Sequence, residues 1–537
     1  MRYFFLILFV ALPRPLFATT LHVPSQYPTI QSGLDAASLG DSVLVACGTY
    51  YEHDILMKSG IVLLSESGTT DSSCVTINAQ QLGRVFYCMN VDNTTTIEGF
   101  IITGGVTDDG AGLVCYDSSP TLVGCTFTGN EAWDWGAGMA CYQGCSPTIM
   151  NCTFFGNQAP YGAGMACWDY DPTPAKIIDC VFTRNTAEWA GGAMDCPHSS
   201  PLIVNCVFSE NSAGGCGGGI SCWQGSSPTL TNCSFSGNWA DWGGGMVCEH
   251  DSAPTLTGCS FFGNSANRGG GLDCRDHSSA IIMECTFVAN SAPRGGGVRC
   301  YYSSHSRFTN CTFSGNSAQI CGGGLYCQRS SSPTLENTII AFSMEGEAVC
   351  CDYTSGATLT CCDVYGNQGG DWVGYIEPQF GIEGNISEDP LFCGEANPET
   401  PYTLQSDSPC APFSPPNPEC GLIGAWPVGC DPSAVDDHLL VWENLHLAPN
   451  VPNPFGSTTR INYRIPCEAG STPVILCIYD SAGRLVRNLV EAPQPAGTHT
   501  VSWDGRDDKG RTVQGGIYFC QLRHSERTGT RRMLSIR

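Results

Sequence analysis

A Cys-x-Phe-x-x-Asn phrase recurs eight times between residues 125 and 316, with its cysteine at 125, 152, 180, 206, 233, 259, 285 and 311. Each copy is accompanied by a glycine-rich triplet and a second cysteine, which recurs at 115, 141, 167, 196, 222, 248, 274, 300 and 327. A period this regular describes stacked units, none of which can bury its apolar face alone. It restricts the chain to a solenoid and specifies architecture far better than activity.

One unit holds three strand-sized pieces, exemplified by GGGMVC, SPTLTN and CSFSGN, with Ser-Pro and Gly-Asn pairs marking corners. That is the content of one triangular β-helix coil. In a strand, residues i and i+2 share a face, so Cys233 and Phe235 are expected inward together, as are Met246 and Cys248. Buried cysteine packs as a small apolar residue, so an internal thiol ladder is stable without bonding. Stacked cysteines, about 4.8 Å apart, also lie within Cα range for a disulfide, and the sequence leaves both states open. Cys145, Cys216 and Cys321 fall outside the columns and are the better candidates for local disulfides. No Cys-x-x-Cys pair or interleaved histidine gives metal-ligand spacing, and neither a metal nor a cofactor is expected. The phrase-ending asparagines (130, 157, 185, 211, 238, 264, 290 and 316) are expected to hydrogen-bond to their copies in neighbouring coils.

Residues 1–18 read as a secretory signal: Arg2, the apolar run Tyr3–Leu12, then Leu16-Phe17-Ala18 as a cleavage site. The apolar run is too short for a membrane span, and no later stretch is long enough either. Export without a transmembrane segment is therefore expected. Residues 440–537 carry 12 Arg+Lys against 8 Asp+Glu, whereas the rest carries 12 against 42. A body this acidic argues against nucleic acid and anionic lipid as partners.

Five further segments follow. Residues 19–103 hold the N-terminal cap and first coils. Thr29–Ser38 can form a short amphipathic helix with Ile30, Leu34 and Ala37 on one side, covering the open end of a solenoid core. Residues 104–375 carry the regular repeats. Residues 376–430 are rich in proline and cysteine and are expected to close the far end, with Cys393, Cys410, Cys420 and Cys430 paired. Residues 431–446 form a linker. Residues 447–537 alternate in the manner of a small β-sandwich, with strand words RINYRI, VILCIYD, HTVSWDG and IYFCQLR.

The opening LHVPSQYPTIQSGLDAASLGDSVLVACGTY resembles the start of a pectate-lyase-like right-handed parallel β-helix. The GGG-[ILMV] and F-x-x-N words are similar to the repeats of the chlamydial polymorphic outer-membrane proteins, a β-helical surface family involved in adhesion. Where that family ends in a membrane β-barrel, this chain carries a different pattern. APNVPNPFGSTTRINYRIP, YDSAGRLVRNL and WDGRDDKGRTVQGGIYF look like the Ig-like domain of the flagellar hook-capping protein and like the sorting domain of type IX secretion cargo. The resemblances imply an all-β chain, with about a dozen right-handed coils followed by an Ig-like sandwich. They also imply a secreted or outer-membrane-associated bacterial protein that meets the secretion machinery through its last module.

Two outward columns carry the candidate site. Tyr116, Tyr142, Trp168, Trp223, Glu249, Arg275 and Tyr301 follow the second cysteine, and Trp135, Tyr161, Cys216, Trp242, Arg268 and Arg294 precede the glycine corner. Aromatic rings recurring on an exposed face could stack against sugars, or on one another between coils. Tyr116, Tyr142, Trp168, Trp223, Trp135 and Trp242 are therefore candidate ligand-binding residues. Asp195, Asp273 and Arg299 are expected outward beside Glu249 and Arg275. Glu249, Asp273, Arg275 and Arg299 would be the catalytic candidates in a polysaccharide lyase or hydrolase, the one reading in which Ca²⁺ enters. An ion-pair network is the plainer account of them, since none of the lyase or polygalacturonase phrases is present. The expected function is thus non-catalytic presentation of a rigid face to an extracellular glycan or surface protein.

Overall fold

The computed structural model describes residues 18–66, 74–168, 174–394, 402–430, 446–447, 458–465, 473–480, 484–492, 494, 497–513, 516–524 and 527–535. Apart from Ala18 and His446, the expected signal and linker lie outside them.

The chain winds into a parallel β-helix whose four sheets stack 14, 9, 12 and 13 strands. It is thus somewhat longer than a dozen coils. Register is maintained from coil to coil: Met246, Val247 and Cys248 lie beside Leu272, Asp273 and Cys274, and Phe261 lies beside Phe287. Cys233 and Phe235 both point into the core, as do Met246 and Cys248. The phenyl rings from Phe127 to Phe313 form a continuous stack, with centroids 4.5 to 5.1 Å apart and nearly parallel planes. The buried asparagines form the expected ladder. Asn238 Nδ2 donates to Asn264 Oδ1 at 2.9 Å and to the Phe208 carbonyl at 2.9 Å, and its own amide donates to Asn264 Oδ1.

Each regular coil has four strands, not three. The extra one follows the ladder asparagine, as at Ser265–Arg268. Its cause is a small second core: Ala132, Ala159, Ala187, Ala213 and Ala240, each two residues beyond its asparagine, pack with Ala137 and Ala163 of the triplets. The chain then doubles back. Gly269 sits at φ +64, where a Cβ would lie 2.7 Å from the Asp273 Cβ, so the turn covers the outer face of the strand that follows.

At one end the helix Ile30–Ala36 packs Ile30 and Leu34 onto the core, and Glu52 accepts hydrogen bonds from the amides of Ile30 and Gln31. At the other, Ile376 of the 3₁₀ helix Gly374–Gln379 joins the main core. Residues 402–430 wrap the flank of the last coils: the Ala425 amide bonds Thr312 Oγ1, and Asn310 Nδ2 bonds the Leu422 carbonyl. Disulfides join Cys361 to Cys420 and Cys393 to Cys430, whereas Cys410 is a free buried thiol against Asp363. Cys321 bonds Cys350, while Cys145 and Cys216 form no disulfide among the described residues, contrary to the sequence-based expectation for those two. Among the described residues the cysteines of both ladders form no disulfide either.

The described residues of the C-terminal module form a three-stranded and a four-stranded antiparallel sheet. Its core contains Ile461, Leu476, Trp503, Leu522 and Met533.

Candidate functional site

The doubling back at each glycine corner brings the two outward columns side by side. Tyr116 stacks on Tyr142 at 4.9 Å, and Trp135 stacks on Tyr161 at 4.5 Å. Trp168 and Trp223 approach Trp135 at 5.0 and 6.4 Å. These rings therefore contact one another, with Trp135 buried and the others half-buried. Among the described residues the most exposed indoles are Trp133, Trp189 and Trp239, at 64%, 54% and 43% exposure. All three sit on the extra strand, which the sequence reading had taken as a corner.

Asp195, Asp273 and Arg299 do lie on the outer side of their strands, but they are buried there, with Asp273 at 0% and Arg299 at 4% exposure. The glycine turn is what covers them. Arg299 Nη1 donates to Asp273 Oδ2 at 3.4 Å. Burial pushes the Asp273 carboxyl up, against the pull of Arg299 and Arg275, and burial pulls the Arg299 guanidinium down. Burial also pushes Asp195 up to about 7, opposed by Ser221 and by the Trp223 indole, whose Nε1 donates to Asp195 Oδ2 at 3.3 Å. Arg275 Nε donates to Glu249 Oε2 at 2.7 Å. Burial alone would lower the Arg275 pKa, but the Glu249 carboxylate overrides it and holds the guanidinium above its ordinary range.

Beyond Trp242 the aromatic face gives way to a basic hollow of about 380 Å³, lined by Arg268, Arg275, Arg294, Arg299 and Arg329 with Trp242, Tyr301 and Gln328. The rings position the cations. Arg275 and Arg268 lie 4.7 and 5.7 Å from the Trp242 centroid, and Arg299 and Arg329 lie 4.4 and 5.0 Å from that of Tyr301. A guanidinium held against a ring face keeps its N–H edge free for another partner. The sequence reading placed Arg268 and Arg294 in an outward column without giving them a role and did not single out Arg329. The available signal was scarcity, since half of the ten cations between residues 19 and 439 fall at these five positions.

The chemistry of this face does not suit Ca²⁺, which needs several carboxylate oxygens. Glu249 and Asp273 each face a guanidinium instead. The described cluster Cys321, Glu347 and Cys350 has both sulfurs committed to a disulfide.

Parallel coils, a buried ladder core and glycine corners define a β-solenoid. Residues 53–194, 171–337 and 218–387 match the right-handed β-helix region family, and the chain belongs to that family. Residues 450–526 match the FlgD Ig-like domain. No curated protein matches the chain. Among solved structures it is similar to tailspike protein 2 of Escherichia coli O157:H7 bacteriophage CAB120 (10% identity, 96% of this chain and 68% of that one, TM-score 0.28). It is also similar to a mannuronic acid specific polysaccharide family 6 lyase from human gut microbiota (11% identity, 69% and 92%, TM-score 0.30). A third is tailspike protein 4 of bacteriophage CBA120 (11% identity, 92% and 63%, TM-score 0.29). Among the described residues no helix is long and apolar enough to cross a membrane.

Proposed function

We propose that this chain is an exported bacterial surface or extracellular protein whose rigid β-helix presents one face to a glycan without transforming it. The carrying observation is the set of exposed indoles, Trp133, Trp189 and Trp239, spread over alternate coils of the nine-stranded sheet that also carries Trp135 and Tyr161. Flat rings fixed on a rigid scaffold lose little entropy when a sugar stacks on them. The catalytic candidates support a binding role over turnover. A base must release its proton, yet Glu249 holds that of Arg275 in place, and Asp273 is fully buried. The resemblances of the repeats and last module extend the reading: adhesion-like binding by the solenoid, and secretion or envelope attachment, including type IX sorting, by the Ig-like module.

The test is affinity electrophoresis of the full chain through neutral and uronate polysaccharides, with ultraviolet detection of unsaturated product. Retention without product, weakened in Trp133→Ala/Trp239→Ala, is expected. Product release lost in Arg275→Ala would establish the lyase alternative instead, and retention by none of the polymers would end the glycan reading.

A further inference from the structure

The arginine hollow assigns a ligand chemistry that the exposed indoles alone do not. We propose that it binds the carboxylate or sulfate groups of an acidic saccharide, an inference that rests on the glycan-binding reading above. Five guanidiniums meet there, while the carboxylates paired with them are Glu249 and Asp276, both on Arg275, and Asp273 on Arg299. Arg268, Arg294 and Arg329 have no carboxylate partner among the described residues. Uncompensated cations gathered on so acidic a body repel one another, and an anion seated among them relieves that repulsion.

A second observation points the same way. Arg299 is 4% exposed and lines the hollow, and its buried Nε has no hydrogen-bond partner. A buried donor left without a partner costs about 1–3 kcal/mol, which a ligand oxygen would recover. The Trp242 ring lies against Arg268 and the Tyr301 ring against Arg329, which limits the motion of these two forks and suits them to planar, bidentate oxyanions. Three successive coils contribute Arg268 and Arg275, then Arg294 and Arg299, then Arg329. At about 4.8 Å per coil, this spacing suits several anionic groups along one chain better than a single small ion. The surrounding acidic body disfavours a long, uniformly charged nucleic acid, which would have to lie across it.

The full chain would be titrated with polygalacturonate, dextran sulfate, neutral dextran and single-stranded DNA at low and moderate salt. Binding to one or both acidic polysaccharides that weakens with salt is expected, falling about tenfold for each guanidinium removed in Arg268→Gln and Arg294→Gln. Arg307→Gln, an exposed residue paired with Glu336, serves as the same-charge control and should bind as the parent does. Unaltered circular dichroism in the variants keeps the comparison interpretable. Acidic-polymer binding that survives Arg268→Gln/Arg294→Gln, or tighter binding of DNA, overturns the proposal. Binding of neutral dextran with no preference for the acidic polymers also overturns it but leaves the glycan reading standing. Binding of no polysaccharide at all removes that reading too.

Discussion

Arg275 and Glu249 stack in register one coil apart. The arginine donates to the carboxylate through Nε and Nη2 while its guanidinium lies 4.7 Å from the Trp242 ring. Glu249 is 9% exposed at its side chain, so little water is at hand to replace that partner. Removing one member of a buried pair costs more than removing both. Arg275→Ala is expected to destabilise by about 3 kcal/mol, and Arg275→Ala/Glu249→Gln by less than the sum of the single changes. Coils of a solenoid can open separately, so hydrogen exchange of Met246–Cys248 and Leu272–Arg275 is the appropriate measurement. Additive effects would show that the pair is not coupled.

Asp195 gives a pH signature. Its pKa is pushed up to about 7, above the unfolded value of 3.8, so the folded state holds a proton that the unfolded state has released. Its contribution is therefore most favourable below the unfolded pKa and is lost as pH rises to about 7. The upper bound is about 4 kcal/mol. Asp195→Asn should be close to neutral at pH 4 and stabilising at pH 8, as read by urea denaturation. A stability difference that does not change with pH would contradict the assignment.

The solenoid was legible because its signal is periodic: every Cys-x-Phe phrase places the same two side chains inward, and every ladder asparagine repeats the same bond. What the sequence hid is what departs from period two. In a two-sided strand Asp273 alternates with inward Leu272 and Cys274, so the outer position reads as solvent-facing. It is buried because Gly269 turns the chain back over it, a tertiary event that no local pattern announces. The extra strand, which carries Trp239, rests on an alanine core assembled from several coils and is equally silent in local pattern. The arginine hollow was missed for another reason, since its members come from three coils and four different positions of the repeat.

The glycine triplets yield a graded prediction. A Cβ on Gly245 would lie 2.6 Å from the Gly271 carbonyl oxygen and 2.7 Å from Phe261 Cδ1, so backbone would have to move. Gly263, at φ +61, has nothing within 4 Å of such a Cβ, and its substitution meets only left-handed backbone strain. Gly263→Ala should cost about 1 kcal/mol and Gly245→Ala about 3 kcal/mol or more. Thermal unfolding of the two variants side by side measures the difference, and equal costs would show that coil spacing is not set by the triplet.

The thiol ladders differ in reactivity from the cysteines outside them. Among the described residues every free cysteine is buried except Cys216 and Cys351, which are half-buried. Burial first, and then the Glu249 charge, push Cys216 up to about 12, which suppresses its thiolate. A hydrogen bond from the Cys327 thiol holds Cys351 below its ordinary value. Because the thiolate is the nucleophile, alkylation of the native chain near pH 8 should mark Cys351 first and Cys216 slowly. Cys248 and Cys274, closed into the core at 0% exposure, should react only on unfolding. Peptide mapping by mass spectrometry reads the order directly. Ladder cysteines alkylated as fast as Cys351 would mean that the coils open locally. Recovery of Cys248 and Cys274 as a linked peptide pair would mean that the shaft is oxidised and that its stability owes as much to cross-links as to packing.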